Sequence, residues 1–179
     1  MARTAIADFE AADSIAAQRK AWWNFLLASS GVYEKLKAGA RDAGGRTAPW
    51  FGKILRSRKD DELLSYLHHA RDCEYHGLDE AVGIEPAMHQ VFPFLWLHEE
   101  IDEEASISAQ EKAAKATIAM GYKPARLTLI AAKDDRYGDS FDPPSTHLGA
   151  RVDGTDSVAV AKASLVYLDK LLDQAETFI

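Results

Sequence analysis

Cys73 is the only cysteine in the chain, so no internal disulfide can form and nothing points to an oxidising compartment. No apolar run approaches the roughly 20 residues that a membrane-spanning helix needs. The opening residues, Met1 to Asp8, lack the apolar core of a signal peptide. These absences lead us to expect a soluble, cytoplasmic protein with no membrane partner. Positive charge is not in excess either: 21 Lys and Arg against 28 Asp and Glu leave a net charge of −7. That excludes coating nucleic acid through bulk electrostatics, while a local basic groove stays open. Internal repeats and low-complexity tracts are missing as well.

What is present reads as a helical protein. At 179 residues, 47% apolar and 27% charged, the chain is expected to be one domain over residues 1–179. The most legible stretch runs from Asp61 to His76, where Leu63, Tyr66, Leu67, Ala70 and Cys73 recur at three- and four-residue spacing. Asp60 or Asp61 can cap its start, and Gly77 suits its end. Upstream, Thr4 to Leu36 reads as helix on the stripe Phe9, Ala12, Ala16, Trp23, Leu26 and Leu27, with a bend or break at Ser29-Ser30-Gly31. A shorter helix follows from Pro49 to Arg56, with the proline in its first turn.

Downstream, Val91 to Leu97 is aromatic and undecided between strand and helix, and His98 to Glu104 is acidic. Ser108-Ala109-Gln110-Glu111 has capping-box form and opens a helix to about Met120. Ala125 to Ala131 alternates like a half-buried strand, and His147 to Val152 is expected to return beside it as a loose hairpin. The last helix, introduced by Asp153 to Asp156, carries the stripe Val158, Ala161, Leu165, Leu168, Leu172, Ala175 and Phe178. The expected fold class is therefore mainly α, a bundle of four to five core helices. A small β-hairpin appendage, residues 124–152, lies between the penultimate and last helices.

The polar side of the 61–76 helix carries His68, His69, Arg71, Asp72 and His76, more than packing requires. Ala70-Arg71-Asp72-Cys73-Glu74-Tyr75-His76-Gly77 resembles the signature of the HEPN superfamily: an arginine, then Asn, Asp or His, then a histidine after four to six residues. Arg71, Asp72 and His76 match it position for position. The resemblance covers this helix and, loosely, its neighbours, but not residues 124–152 or the segment near Phe92. It implies a dimeric helical bundle acting as a metal-independent RNA endonuclease of toxin or phage-defence type. It also implies a homodimer, an antitoxin or other partner protein, and no cofactor. The chemistry is coherent: the RNA 2′-hydroxyl attacks the adjacent phosphate, His76 moves protons, Arg71 binds the scissile phosphate, and Asp72 orients His76 one turn on. Residues five apart on a helix point about 140° away from each other, so His76 must swing back or a second copy must help.

Other readings stand beside this one. The plainest is a non-catalytic nucleotide- or protein-binding adaptor, with Arg71 paired to Glu74 or Asp72 and His76 capping helix carbonyls. His68, His69, Asp72 and His76 also share an arc that a metal could use, with His98, Glu99, Glu100 or Asp102 to complete it. No second helix offers a matching Glu-x-x-His, so solvated polar faces are the expectation and no metal is assigned. Finally, Arg41, Arg46, Lys53, Arg56, Arg58 and Lys59 fall in a stretch with one acid, Asp42, interleaved with Trp50 and Phe51. Arg46, Lys53, Arg56, Arg58 and Lys59 are the candidate RNA- or phosphate-binding rim, against the plainer reading of a wet helix face.

Overall fold

The structure, a computed structural model, describes residues 1–76, 80–89, 122–134 and 138–178. Among them are five helices: α1 (Ala2–Glu10), α2 (Ile15–Ala43), α3 (Thr47–Asp60), α4 (Glu62–His76) and α5 (Ser157–Glu176). Eight short strands lie between α4 and α5: β1 (Val82–Glu85), β2 (Met88–His89), β3 (Tyr122–Lys123), β4 (Arg126–Leu129), β5 (Ala132–Asp134), β6 (Asp139–Phe141), β7 (Thr146–His147) and β8 (Ala150–Arg151). The fold is mainly α with small strand pairs, as the composition and periodicity predict. By contact the chain divides into two units: Met1–Ile84 with Leu127–Ile179, and Glu85–Arg126. In the second unit β2 pairs antiparallel with β3, and Arg126 is ion-paired to Glu85. The segments Val91–Leu97, His98–Glu104 and Ser108–Met120, and the stop at Gly77, lie outside the described residues. No helix among those described is long and apolar enough to cross a membrane.

The first helical stretch breaks earlier than its sequence predicts. Ser14 caps a new helix by accepting from the Ala17 N–H at 3.3 Å, and α2 then runs unbroken through Ser29-Ser30-Gly31. Ser29 stays helical because its hydroxyl donates back to the Phe25 carbonyl at 2.9 Å, a bond that satisfies it inside the core. The restart resets the phase of the apolar stripe. Trp22 and Phe25 are buried, whereas Trp23 lies partly open and Leu27 is exposed. The chain leaves α2 through Gly44 and Gly45, both at positive φ, and the Thr47 hydroxyl ties α3 back to the Ala40 carbonyl at 2.8 Å.

Helix α4 is the axis of the first unit. Leu63, Tyr66, Leu67, Ala70 and Cys73 are all buried, as their spacing predicts. The Tyr66 hydroxyl lies between the carbonyls of Ala81 and Ile130, at 2.9 and 2.7 Å, and so fixes the start of β1 and the end of β4 against the helix. On α5 the buried face is Ser157, Val160, Ala161, Ser164, Tyr167, Leu168 and Leu171. The predicted stripe is therefore rotated: Leu172 and Phe178 are exposed, because small serines take inward positions that polarity alone assigns to solvent. Ser157 is admitted by donating to the Leu127 carbonyl at 3.0 Å.

The hairpin expected between residues 125–131 and 147–152 does not form. Strand β4 pairs instead with β1, and its Leu129 N–H is taken by the Thr155 carbonyl at 3.0 Å. β1 lies farther away in sequence than residues 147–152 do, and it is the Tyr66 hydroxyl, between the Ala81 and Ile130 carbonyls, that holds it beside β4. β5 pairs with β6, and β7 with β8 through a two-residue turn, Leu148-Gly149, at φ 49° and 80°. Acids at the start of α4 pin that turn. Asp61 Oδ1 accepts from the Leu64 N–H and lies 3.0 Å from His147 Nδ1, while Oδ2 takes the Leu148 N–H at 2.7 Å. One Glu62 oxygen accepts from the Ser145 N–H and hydroxyl and from the Thr146 N–H, at 2.9–3.0 Å.

Leu148 is the one described non-glycine residue at positive φ. Leu148→Gly is expected to raise unfolding stability by about 0.5–1 kcal/mol, the left-handed penalty of roughly 1–2 kcal/mol less the entropy cost of glycine. Gly154→Ala is expected to act oppositely, since its Cβ would lie 1.8 Å from the Pro144 carbonyl oxygen. A loss of about 1–3 kcal/mol is expected, and urea titration of the two variants checks both signs.

Candidate functional site

The polar side of α4 packs against α2 and α3, and this sets what its charges can do. Arg71 turns inward, leaving its side chain 26% exposed. Its Nη1 is ion-paired to Asp72 Oδ1 at 2.7 Å and its Nη2 donates to the Ser30 hydroxyl at 3.0 Å, while Nε is buried without a hydrogen-bond partner among the described residues. The pairing is with Asp72 and not with Glu74. His76 is exposed at the helix end, where its ring meets Tyr75 edge-on at 5.2 Å. Among the three motif residues the structure thus joins Arg71 to Asp72, and the described contacts of His76 are with neither.

What Asp72 does face is His68, at 3.5 Å from the second carboxylate oxygen to Nδ1. That same Nδ1 lies 3.0 Å from Arg58 Nη2. A guanidinium has only donors, so Nδ1 must be the acceptor and His68 must be neutral, with its proton on Nε2. The Asp72 contact is then a long one without a proton in it. Burial, and next the Arg58 charge, hold His68 down to about 4. Arg58 itself lies with its guanidinium 4.3 Å from the centre of the Tyr33 ring, a cation–π contact, and burial lowers its pKa. Burial also pushes the Tyr33 phenol well above its ordinary range, and its hydroxyl has no hydrogen-bond partner among the described residues. Between these groups lies a hollow of about 20 Å³.

On the outer side of the Arg58–His68 pair, a cleft of about 390 Å³ opens between α3, α4 and β6. His69 lies flat on Phe141 there, ring centres 3.4 Å apart and planes within 6°. Its pKa is lowered, first by burial. Of the predicted basic rim, Arg46, Lys53, Arg56 and Lys59 are exposed, the last also lining this cleft. Arg58 departs from the rim and faces inward. Its signal was present in the sequence: Phe51, Ile54 and Arg58 recur at three- and four-residue spacing on the buried face of α3. Leu55, Ser65 and Phe141 also line the cleft, and no local pattern marks them.

No group of three or more His, Cys, Asp and Glu among the described residues could hold a metal ion. His68 is turned to Arg58 and His69 to Phe141, while His98, Glu99, Glu100 and Asp102 lie outside those residues. The chain was compared with protein-family models, with curated proteins and with solved structures, and none matches it.

The neutral state of His68 carries a pH signature. Below its ordinary pKa the unfolded chain takes up a proton that the folded chain refuses, so stability falls as pH drops from 6.5 towards about 4. The side chain is 39% exposed, so solvent screening keeps the slope below the full ~1.4 kcal/mol per pH unit. His68→Gln keeps an acceptor for Arg58 and cannot titrate. Melting temperature followed across this range should fall less steeply in the variant than in the parent; equal slopes would contradict a neutral His68.

Proposed function

We propose that the chain is a HEPN-like helical bundle that binds RNA without cutting it, holding the phosphate backbone on the exposed face of α3. One observation carries this reading, the division of the cations. Lys53 and Arg56 stand exposed on a helix whose only acid is Asp60, with Arg46 exposed at its start. Arg71, which a cutting site needs free to bind a scissile phosphate, is engaged at both terminal nitrogens. Flexible cations on an open face can meet successive phosphates of a strand, and such contacts carry affinity without base specificity.

The test is fluorescence anisotropy with a labelled single-stranded RNA over a salt series, with the RNA then examined on a denaturing gel. Arg46, Lys53 and Arg56 should give a slope of log binding constant against log salt of about −2, roughly −0.7 for each. The double substitution Lys53→Glu with Arg56→Glu should weaken binding by about tenfold or more, ~1.4 kcal/mol. An unchanged affinity in that variant, or no binding at low salt, would overturn the reading.

The ribonuclease reading of the same motif keeps one observation in its favour: the His76 imidazole is open to solvent at the end of α4. It requires Arg71 to exchange Asp72 for a phosphate, and in dimeric form a second copy can supply the partner groups. RNA incubated with the protein in chelator is expected to stay intact, and to stay intact with Asp72→Asn, which frees Arg71. Cleavage that disappears in both Arg71→Ala and His76→Ala would establish the nuclease instead.

A further inference from the structure

We propose that the cleft between α3, α4 and β6 is a phosphomonoester site, in which Arg58, Lys59 and the two imidazoles of His68 and His69 hold a terminal phosphate. The site is separate from the α3 face argued above and does not rest on it. Four observations converge. The first is charge. Arg58 is held by a neutral ring nitrogen at 3.0 Å and an aromatic face at 4.3 Å, neither of which neutralises it. The carboxylates whose charges reach it, Asp72 and Glu34, are not bound to it, and Asp72 is paired to Arg71 at 2.7 Å. Lys59, at the same cleft, has no ion pair among the described contacts. The cleft therefore presents two cations with no carboxylate bound to either among the described contacts.

The second is the matching charge of the ligand. A phosphomonoester carries about −1.5 to −2 at neutral pH, whereas a phosphodiester within a strand carries one negative charge. The third is donor geometry. With Nδ1 of His68 committed as acceptor from Arg58, its Nε2–H is the ring's remaining donor, and the Ser65 hydroxyl lines the same cleft. The fourth is shape and lining. A volume of about 390 Å³ lies in the small-ligand range of roughly 300–1,000 Å³. Leu55 and Phe141 supply an apolar wall for the organic part of the ester, and the flat Phe141–His69 stack fixes one side. Asp72, Asp139 and Asp134, whose charges act on His69, are the carboxylates that oppose an anion here, Asp72 while paired to Arg71.

Two sources offer this chemistry, a free mononucleotide and the phosphorylated end of an RNA. Calorimetry with the full chain, using AMP, a 5′-phosphorylated oligoribonucleotide and its 5′-hydroxyl counterpart, separates them. AMP binding assigns the free nucleotide, binding of the phosphorylated oligomer alone assigns an RNA end, and binding of both assigns the phosphate group itself. In each case Lys59→Ala, an exposed substitution that leaves the core intact, should weaken binding about fivefold or more. Arg58→Gln should weaken it further, and Asp139→Asn should tighten it. The oligomers are compared in the Lys53→Glu with Arg56→Glu variant, where the α3 face no longer draws them and this binding should be kept, which separates a failure here from a failure of the RNA-backbone reading. If neither phosphorylated probe binds, if the 5′-hydroxyl oligomer binds equally well, or if Lys59→Ala changes nothing, the site is not what we propose.

Discussion

A guanidinium held near the core by a neutral acceptor is the constraint on which the polar half of this protein depends. Arg58 lies between the Tyr33 ring and His68 Nδ1, and this arrangement works only while His68 is unprotonated. Protonating that ring would set two cations within hydrogen-bond distance and remove the acceptor, so burial of Arg58 and neutrality of His68 enforce each other. An acid in place of His68 would bind Arg58 more strongly, but it would also cancel its charge. The histidine positions the cation and leaves its field intact.

The acids at the head of α4 do a different kind of work. Asp61 caps the helix, pairs with His147 and takes the Leu148 N–H, while Glu62 collects three donors from Ser145 and Thr146. Both carboxylates sit where the helix dipole favours negative charge, and both pKa values are lowered: in Asp61 the hydrogen bonds it accepts outweigh burial, and in Glu62 those from Ser145 and Thr146 dominate. The result is that residues 145–148, distant in sequence, are fastened to the same helix that carries the histidines. Phe141, four residues upstream, is thereby kept within reach of His69. Gly154 closes the same region from the other side, since its lack of a side chain lets the backbone approach Pro144.

How much of this was legible in the sequence depends on which physical rule each residue obeys. The stripe Leu63 to Cys73 was readable because periodic burial dominates α4, and the Asp61 cap because capping chemistry is local. The phases of α2 and α5 were not. In α2 a cap at Ser14 moves the helix start, and in α5 Ser157 and Ser164 are inward because they are small and, for Ser157, hydrogen-bonded. Hydropathy records neither size nor satisfaction. The strand pairing is not legible for a third reason: β4 takes β1, the partner more distant in sequence, because Tyr66 holds both against α4 while Thr155 caps the other edge. The cleft could not be read at all, because Leu55, Ser65 and Phe141 meet only in three dimensions.

Arg58 and Arg71 show most plainly why residue type does not decide function. Both are arginines on core helices beside a histidine and an acid, and the motif-based reading favours Arg71. In the folded chain Arg71 has a carboxylate and a hydroxyl on its two terminal nitrogens, so an incoming anion must displace a charge-assisted bond. Arg58 has an imidazole and a π-face, partners that hold it without opposing an anion's approach. Partly buried, Arg58 is also poorly hydrated, so its interaction with a bound anion would be less screened than that of an exposed lysine. The Asp72 carboxylate is what separates the two: by choosing Arg71 it closes one candidate phosphate contact and leaves the other open.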